Sequence, residues 1–237
     1  MLLYIIRHGD PIYNPDSLTE KGILQAKALA KRLAVHGLDR IFVSPMIRAR
    51  QTAQPTCDLL KIKPEVAEWT SESLAWQEFA CNDESFGDKI EWSFNVPKVR
   101  YKAPEVLALG DRWYEADPFC RTKAREGYAR IQRESDKFTE MLGYKREGTL
   151  YRILRPSDER VAVFCHSGFG SVWISYLLAI HPIIFWSSFG LNHSSVTILE
   201  FMNTENGITA PYCLTLSDTS HLYADGLPLE FCNRVKI

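Results

Sequence analysis

Met1-Leu2-Leu3-Tyr4-Ile5-Ile6-Arg7-His8-Gly9-Asp10-Pro11 opens the chain, and the change of character within it decides the fold. Six β-favouring residues run on without a charge, as in a strand covered on both faces of a parallel sheet. The run stops at two basic residues, a glycine, an acid and a proline, so chemistry begins where the strand ends. Outward from this point, Thr19 is placed as an N-cap. Ala26, Leu29, Ala30 and Leu33 then follow the i, i+3, i+4, i+7 spacing of an amphipathic helix up to Gly37. Ile41-Phe42-Val43 predicts a second buried strand. Ser44-Pro45 suits the N-cap and first position of a helix over 46–53, and Pro55 predicts a break or kink before that helix continues to Leu60. Val66 marks a third strand.

From about residue 79 to 120 the periodicity disappears and aromatics crowd in, among them Phe86, Trp92, Phe94, Tyr101, Trp113 and Tyr114. The segment reads as an inserted cap, either a small satellite core or a lid whose Trp and Tyr faces, with Lys98, Arg100, Lys102 or Arg112, select the bound molecule. A long helix resumes through Ala124, Tyr128, Ile131, Ser135, Phe138 and Leu142, with Gly143 placed to end it. Residues 149–154 and 160–165 flank Pro156-Ser157-Asp158 and read as a hairpin whose second arm is a core strand. That arm runs into His166-Ser167-Gly168-Phe169-Gly170 and an apolar helix over 172–180, and strands over 196–201 and 208–216 finish the sheet. The expected architecture is α/β: a three-layer sandwich with a mostly parallel central sheet, one domain over 1–237 with a cap insertion at about 79–120.

The 237 residues are 46 % apolar and 24 % charged, enough for a real core and unlike a disordered or fibrous chain. With 28 Lys and Arg against 29 Asp and Glu, the formal charge of −1 gives no global pull towards nucleic acid or an anionic membrane. No apolar stretch reaches the roughly 20 residues of a spanning helix, and no leader pattern precedes the first strand. Cys57, Cys81, Cys120, Cys165, Cys213 and Cys232 are dispersed without a Cys-x-x-Cys and read as reduced thiols, which makes a cytoplasmic protein the expectation.

Three strand ends carry basic residues: Arg7 and His8, then Arg48 one helical turn past the second strand, then His166. In a doubly wound sheet these ends converge on one crevice. Two guanidiniums, two imidazoles and the helix starts at Ser44 and Ser167 describe a site for a compact dianion, with phosphate the obvious candidate.

At this point the sequence strongly resembles the histidine phosphatase superfamily, the phosphoglycerate-mutase-like proteins. The resemblance rests on Arg7-His8-Gly9 with Asn14, on Leu18 to Ala26, on Ser44 to Ala53, and on His166-Ser167-Gly168. It implies a phosphohistidine mechanism: His8 attacks phosphorus, while Arg7, Asn14, Arg48, Ser167 and His166 hold the phosphoryl oxygens. A carboxylic acid supplies the leaving group's proton. The family's Leu-x-Glu pattern is matched most closely by Val66-Ala67-Glu68, with Glu72 and Glu78 as alternatives, and the aromatic and Gly context that usually follows is altered. The expected activity is metal-independent and cofactor-free hydrolysis of a small phosphorylated metabolite, releasing inorganic phosphate. The alternatives are a phosphoglycerate-type mutase, which Asp10-Pro11 after Arg-His-Gly disfavours, and a catalytically idle phosphate-binding module. The resemblance leaves a homo-oligomer open.

Arg48 could pair with Asp58 or Glu65, and Arg50 is expected to face solvent. His36, His181, His193 and His221 are expected to be structural or surface residues. Ser167 lacks the glycines of a nucleophile elbow, Gly168-x-Gly170 lacks the dinucleotide spacing, and no His-Glu-x-x-His argues for a metal.

Overall fold

The computed structural model describes residues 1–229. Cys232 and the C-terminal end of the expected domain lie outside the described residues. A six-stranded sheet has the spatial order Tyr212–Asp218, Val196–Glu200, Leu2–Arg7, Arg160–Cys165, Arg40–Val43, Glu65–Val66. The last four run parallel, while Val196–Glu200 is antiparallel to both its neighbours. Helices cover both faces, giving the expected α/β architecture.

Side-chain alternation in the strands divides the core into two layers. Leu3, Ile5, Phe42, Val161, Val163 and Cys165 face one side, against Phe138, Phe169 and Trp173 of the Ala124–Met141 and Ser167–Leu177 helices. Ile6, Ile41, Val43, Ala162 and Phe164 face the other, against Leu29 and Leu33 of Glu20–Ala34 and Ala49 and Ala53 of Ile47–Leu60. Each fully buried Leu or Phe contributes about 1.5–3 kcal/mol. Trp173, fully buried, directs its indole N–H to Ser135 Oγ at 2.9 Å, so its polar atom is satisfied inside the core.

Residues 149–154 do not pair with 160–165. Leu150–Ile153 turns back on Tyr144–Glu147 and takes Ile208–Thr209 on its other edge, because Gly148 (φ 65°) makes the tight turn earlier than Pro156. The second sheet helix begins at Ile47 rather than at Ser44, and it runs unbroken to Leu60 with Pro55 inside it. The aromatic segment is no satellite. It folds into the ribbon Ala80–Asn82 with Ile90–Trp92 and a series of short helical turns, and Phe94, Val96, Tyr101, Trp113 and Phe119 join the same core layer as Leu3 and Val161. Among the described residues five cysteines are free thiols, and no helix is long and apolar enough to cross a membrane.

Strand register brings the site together. Arg7 stands opposite Cys165 and Val43 opposite Phe164, so the next residues, His8, His166 and Ser44, leave the sheet side by side. The His8 N–H donates to Cys165 O at 3.0 Å, and the Ser44 N–H donates to Phe164 O at 2.9 Å. The loop after His8 is clamped: Gly9 N–H donates to Thr52 Oγ1 at 3.0 Å, and Asp10 N–H to Gln25 Oε1 at 2.8 Å. A Cβ on Gly22 would fall 2.3 Å from Asp10 O, and one on Gly9 would fall 2.8 Å from Gly22 O, so helix and loop touch backbone to backbone. Gly22→Ala is therefore expected to destabilise the fold by about 1–3 kcal/mol, read as a lowered denaturation midpoint; an unchanged midpoint would contradict this packing.

Candidate active site

His8 is buried, and its Nδ1 lies 2.6 Å from Gly9 O. A carbonyl can only accept, so Nδ1 carries the proton and Nε2 keeps a free lone pair. Burial pushes the pKa of His8 well below the usual imidazole range, and Arg7, Arg48 and His193 push the same way. His166 packs beside it, ring centroids 5.1 Å apart. Burial, then His8, Arg48 and Arg7, likewise hold His166 neutral. Its Nε2 meets Ser44 Oγ at 2.7 Å, while its buried Nδ1 has no hydrogen-bond partner among the described residues.

Two guanidiniums flank the imidazoles. Arg48 is 4 % exposed and bonds Asp16 Oδ1 at 2.7 Å, not Asp58 or Glu65. Arg7 donates to Leu191 O at 2.5 Å and to His193 Nε2 at 2.7 Å. Since arginine only donates, His193 must accept at Nε2 and carry its proton on Nδ1, which faces Asp10 Oδ1 at 3.4 Å. His193 was expected to be structural or superficial; it instead braces Arg7, with its ring centroid 5.7 Å from that of His8. It enters on the loop before Val196–Glu200, whose antiparallel direction brings that loop to the same end of the sheet, a placement no local spacing announces.

The carboxyl group at the site belongs to Glu72. Its two oxygens accept from the N–H groups of Gly168 and Phe169, each at 2.9 Å, at the start of the Ser167–Leu177 helix. These donors are thus taken by a side chain rather than presented to a ligand. Burial raises the pKa of Glu72, while the two N–H donors, Arg48 and Arg7 pull it back. A cavity of about 1210 Å³ opens over Arg7, His8, Arg48, Glu72, Ser167 and Gly168.

Arg7, His8, Arg48, Ser167 and His166 are brought together as the sequence reading has them, with His166 just behind the cavity wall. Glu68 is not. Ala67 N–H closes onto Val43 O, and Glu68 opens a 3-10 turn with its side chain exposed, outside the cavity lining. The chain needs that turn before Glu72 can open the Glu72–Phe79 helix and face the cavity. Glu78 pairs with Arg130 at 2.6 Å and is likewise outside it. Asn14 is exposed and does not line the cavity. Arg50 faces solvent. Among the described residues no three His, Cys, Asp or Glu side chains converge to hold a metal.

Comparison with known proteins gives the family and the fold. The family model described as histidine phosphatase superfamily (branch 1) matches residues 3–212, and the chain belongs to that family. A protein of Schizosaccharomyces pombe named "Probable phosphatase C1687.21" is 41 % identical over 75 residues, 28 % of this chain and only 34 % of that protein's length. Among solved structures, phosphoserine phosphatase of Entamoeba histolytica in complex with 3-phosphoglyceric acid superposes with a TM-score of 0.60 at 20 % identity, covering 93 % of this chain and 98 % of that one. Mycobacterial glucosyl-3-phosphoglycerate phosphatase gives 0.58 at 18 % identity, covering 91 % and 98 %. The alpha-ribazole phosphatase of Shigella flexneri gives 0.57 at 18 % identity, covering 91 % and 96 %.

Removing the brace should loosen Arg7. His193→Ala is expected to weaken binding of inorganic phosphate by about tenfold in titration calorimetry. Unchanged affinity would mean that Leu191 O alone positions the guanidinium.

Proposed function

We propose that this protein is a phosphomonoesterase that works through a phosphohistidine on His8, with Glu72 as the proton donor and acceptor. The observation that carries the reading is a single buried imidazole whose Nδ1 is held by Gly9 O and whose Nε2 is left unprotonated between Arg7 and Arg48. In the first step the Nε2 lone pair forms a bond to phosphorus as the bond from phosphorus to the alcohol oxygen breaks. Glu72 gives its proton to that oxygen, and the alcohol leaves. In the second step water attacks phosphorus, Glu72 takes the water's proton, and the P–N electron pair returns to His8 as inorganic phosphate departs. Arg7 and Arg48, which line the cavity, stabilise the equatorial oxygens, while His166, with Ser44 donating to its Nε2, packs beside the His8 ring.

Glu72 in this position weakens the idle-binder alternative, since a binding module has no use for a buried carboxyl group beside the phosphoryl site. A mutase must keep water out, whereas the rim here includes Tyr13 at 69 % and Phe189 at 46 % exposure. Hydrolysis of a small phosphorylated substrate is therefore favoured over transfer.

Release of inorganic phosphate from a phosphomonoester panel tests the reading. His8→Ala should abolish release, and acid-labile phosphate should be trapped on His8 of the wild type. Transfer between hydroxyls without release would point to the mutase, and neither outcome would point to the binder. The rate should be bell-shaped in pH. It is lost as pH falls through the depressed pKa of His8, which must be neutral, and as pH rises through the raised pKa of Glu72, which must be protonated. Glu72→Gln is expected to lower kcat by about 10²–10⁴-fold and to remove the alkaline limb; a retained limb would assign the acid elsewhere.

A further inference from the structure

The wall of the cavity beside Glu72 is aromatic. A Cβ built on Gly168 would fall 3.0 Å from Glu72 Oε1 and 2.8 Å from Cη2 of Trp92, so the edge of that indole and the carboxyl group both border Gly168. From there the rings continue without a gap. Trp76 meets Trp92 edge-on at 4.9 Å, Trp92 stacks on Phe94 at 5.6 Å and 12°, and Phe94 meets Trp186 at 4.8 Å. Trp113 braces Trp186 from behind at 5.0 Å. Phe189 and Trp76 leave 46 % and 36 % of their surface uncovered on the same cavity.

The oxygen protonated by Glu72 is the leaving group's, so the leaving group's carbon skeleton must start at Trp92 and run along this wall. The space supports a larger occupant than a three-carbon ester, because about 1210 Å³ exceeds the roughly 300–1,000 Å³ that encloses a drug-sized ligand. Distal charge is scarce. Beyond Arg7 and Arg48 the only cation that lines it among the described residues is Lys98, whose ammonium donates to Phe94 O and whose pKa burial lowers. Its acidic counterpart in the lining, Glu91, accepts from Asn95 Nδ2 at 2.9 Å. Of the four cap cations named from the sequence, Arg100 is tied to Asp83 and Asp117, Arg112 to Glu115, and Lys102 does not line the cavity. A second anionic group on the substrate would find no cradle among these residues.

We infer that the substrate is the phosphomonoester of an alcohol bearing a flat apolar ring, carried against Trp92, Trp76 and Phe189, with no second anionic group. The inference rests on the phosphoryl site proposed above but is tested apart from turnover. Calorimetry of wild-type protein compares 2-phenylethylphosphonate with ethylphosphonate, which share the phosphoryl mimic and differ by the ring, and includes 3-phosphoglycerate. The ring compound is expected to bind about thirtyfold more tightly than the ethyl compound and more tightly than 3-phosphoglycerate. Phe189→Ala and Trp76→Ala, both on partly exposed side chains, should each bring that ratio down about three- to tenfold. Equal affinities for the two phosphonates, tighter binding of 3-phosphoglycerate, or a ratio untouched by both variants would overturn the inference. Phosphate release from 2-phenylethyl and ethyl phosphates is measured alongside. Ring-selective binding without any release would count against the esterase reading while the ligand class inferred here stands.

Discussion

Everything in this active site depends on two imidazoles being kept out of water between two guanidiniums. An isolated histidine of ordinary pKa is partly protonated near neutrality, and the protonated ring has no lone pair to offer on either nitrogen. Burial and the charges of Arg7 and Arg48 act in one direction on both His8 and His166, towards the neutral ring. The bond from His8 to Gly9 O then decides which nitrogen faces the cavity with its electron pair. The same cations that favour the neutral form of the proposed nucleophile are the natural partners of a phosphoryl dianion. Ground-state tuning and anion binding are thus one arrangement.

The opposite constraint applies to the acid. A carboxyl group beside two arginines would ordinarily be held ionised, and two helical N–H groups add to that pull. Burial outweighs them at Glu72 and raises its pKa. The proposed base, which must be neutral, and the proposed acid, which must be protonated, are both buried at the floor of the cavity, their pKa values shifted in opposite directions by the same desolvation.

The basic half of this arrangement was legible in the sequence because strand ends announce themselves. A run of apolar residues that stops at Arg7-His8-Gly9 or at Cys165-His166-Ser167 marks both the strand and the place where its end emerges. The acid was harder to read. Glu68 satisfies the local Leu-x-Glu spacing, yet the 3-10 turn that follows the short edge strand turns it to solvent and delivers Glu72 four residues later. The signal for Glu72 was its place at the start of the Glu72–Phe79 helix, visible only if that helix is separated from the aromatic segment behind it. His193 gave no local signal, since its role arises from an antiparallel strand inserted beside Leu2–Arg7. The supposed hairpin failed because an early turn at Gly148 supplied a closer partner for Leu150–Ile153 than the core strand beyond Pro156.

The state of the His8 ring tests the account most directly. Nitrogen-15 correlation spectra of the imidazoles at about pH 6.5, the ordinary imidazole midpoint, should show His8 as a neutral ring with its proton on Nδ1 and an unprotonated Nε2. An imidazolium at that pH, or a neutral ring protonated on Nε2, would contradict it.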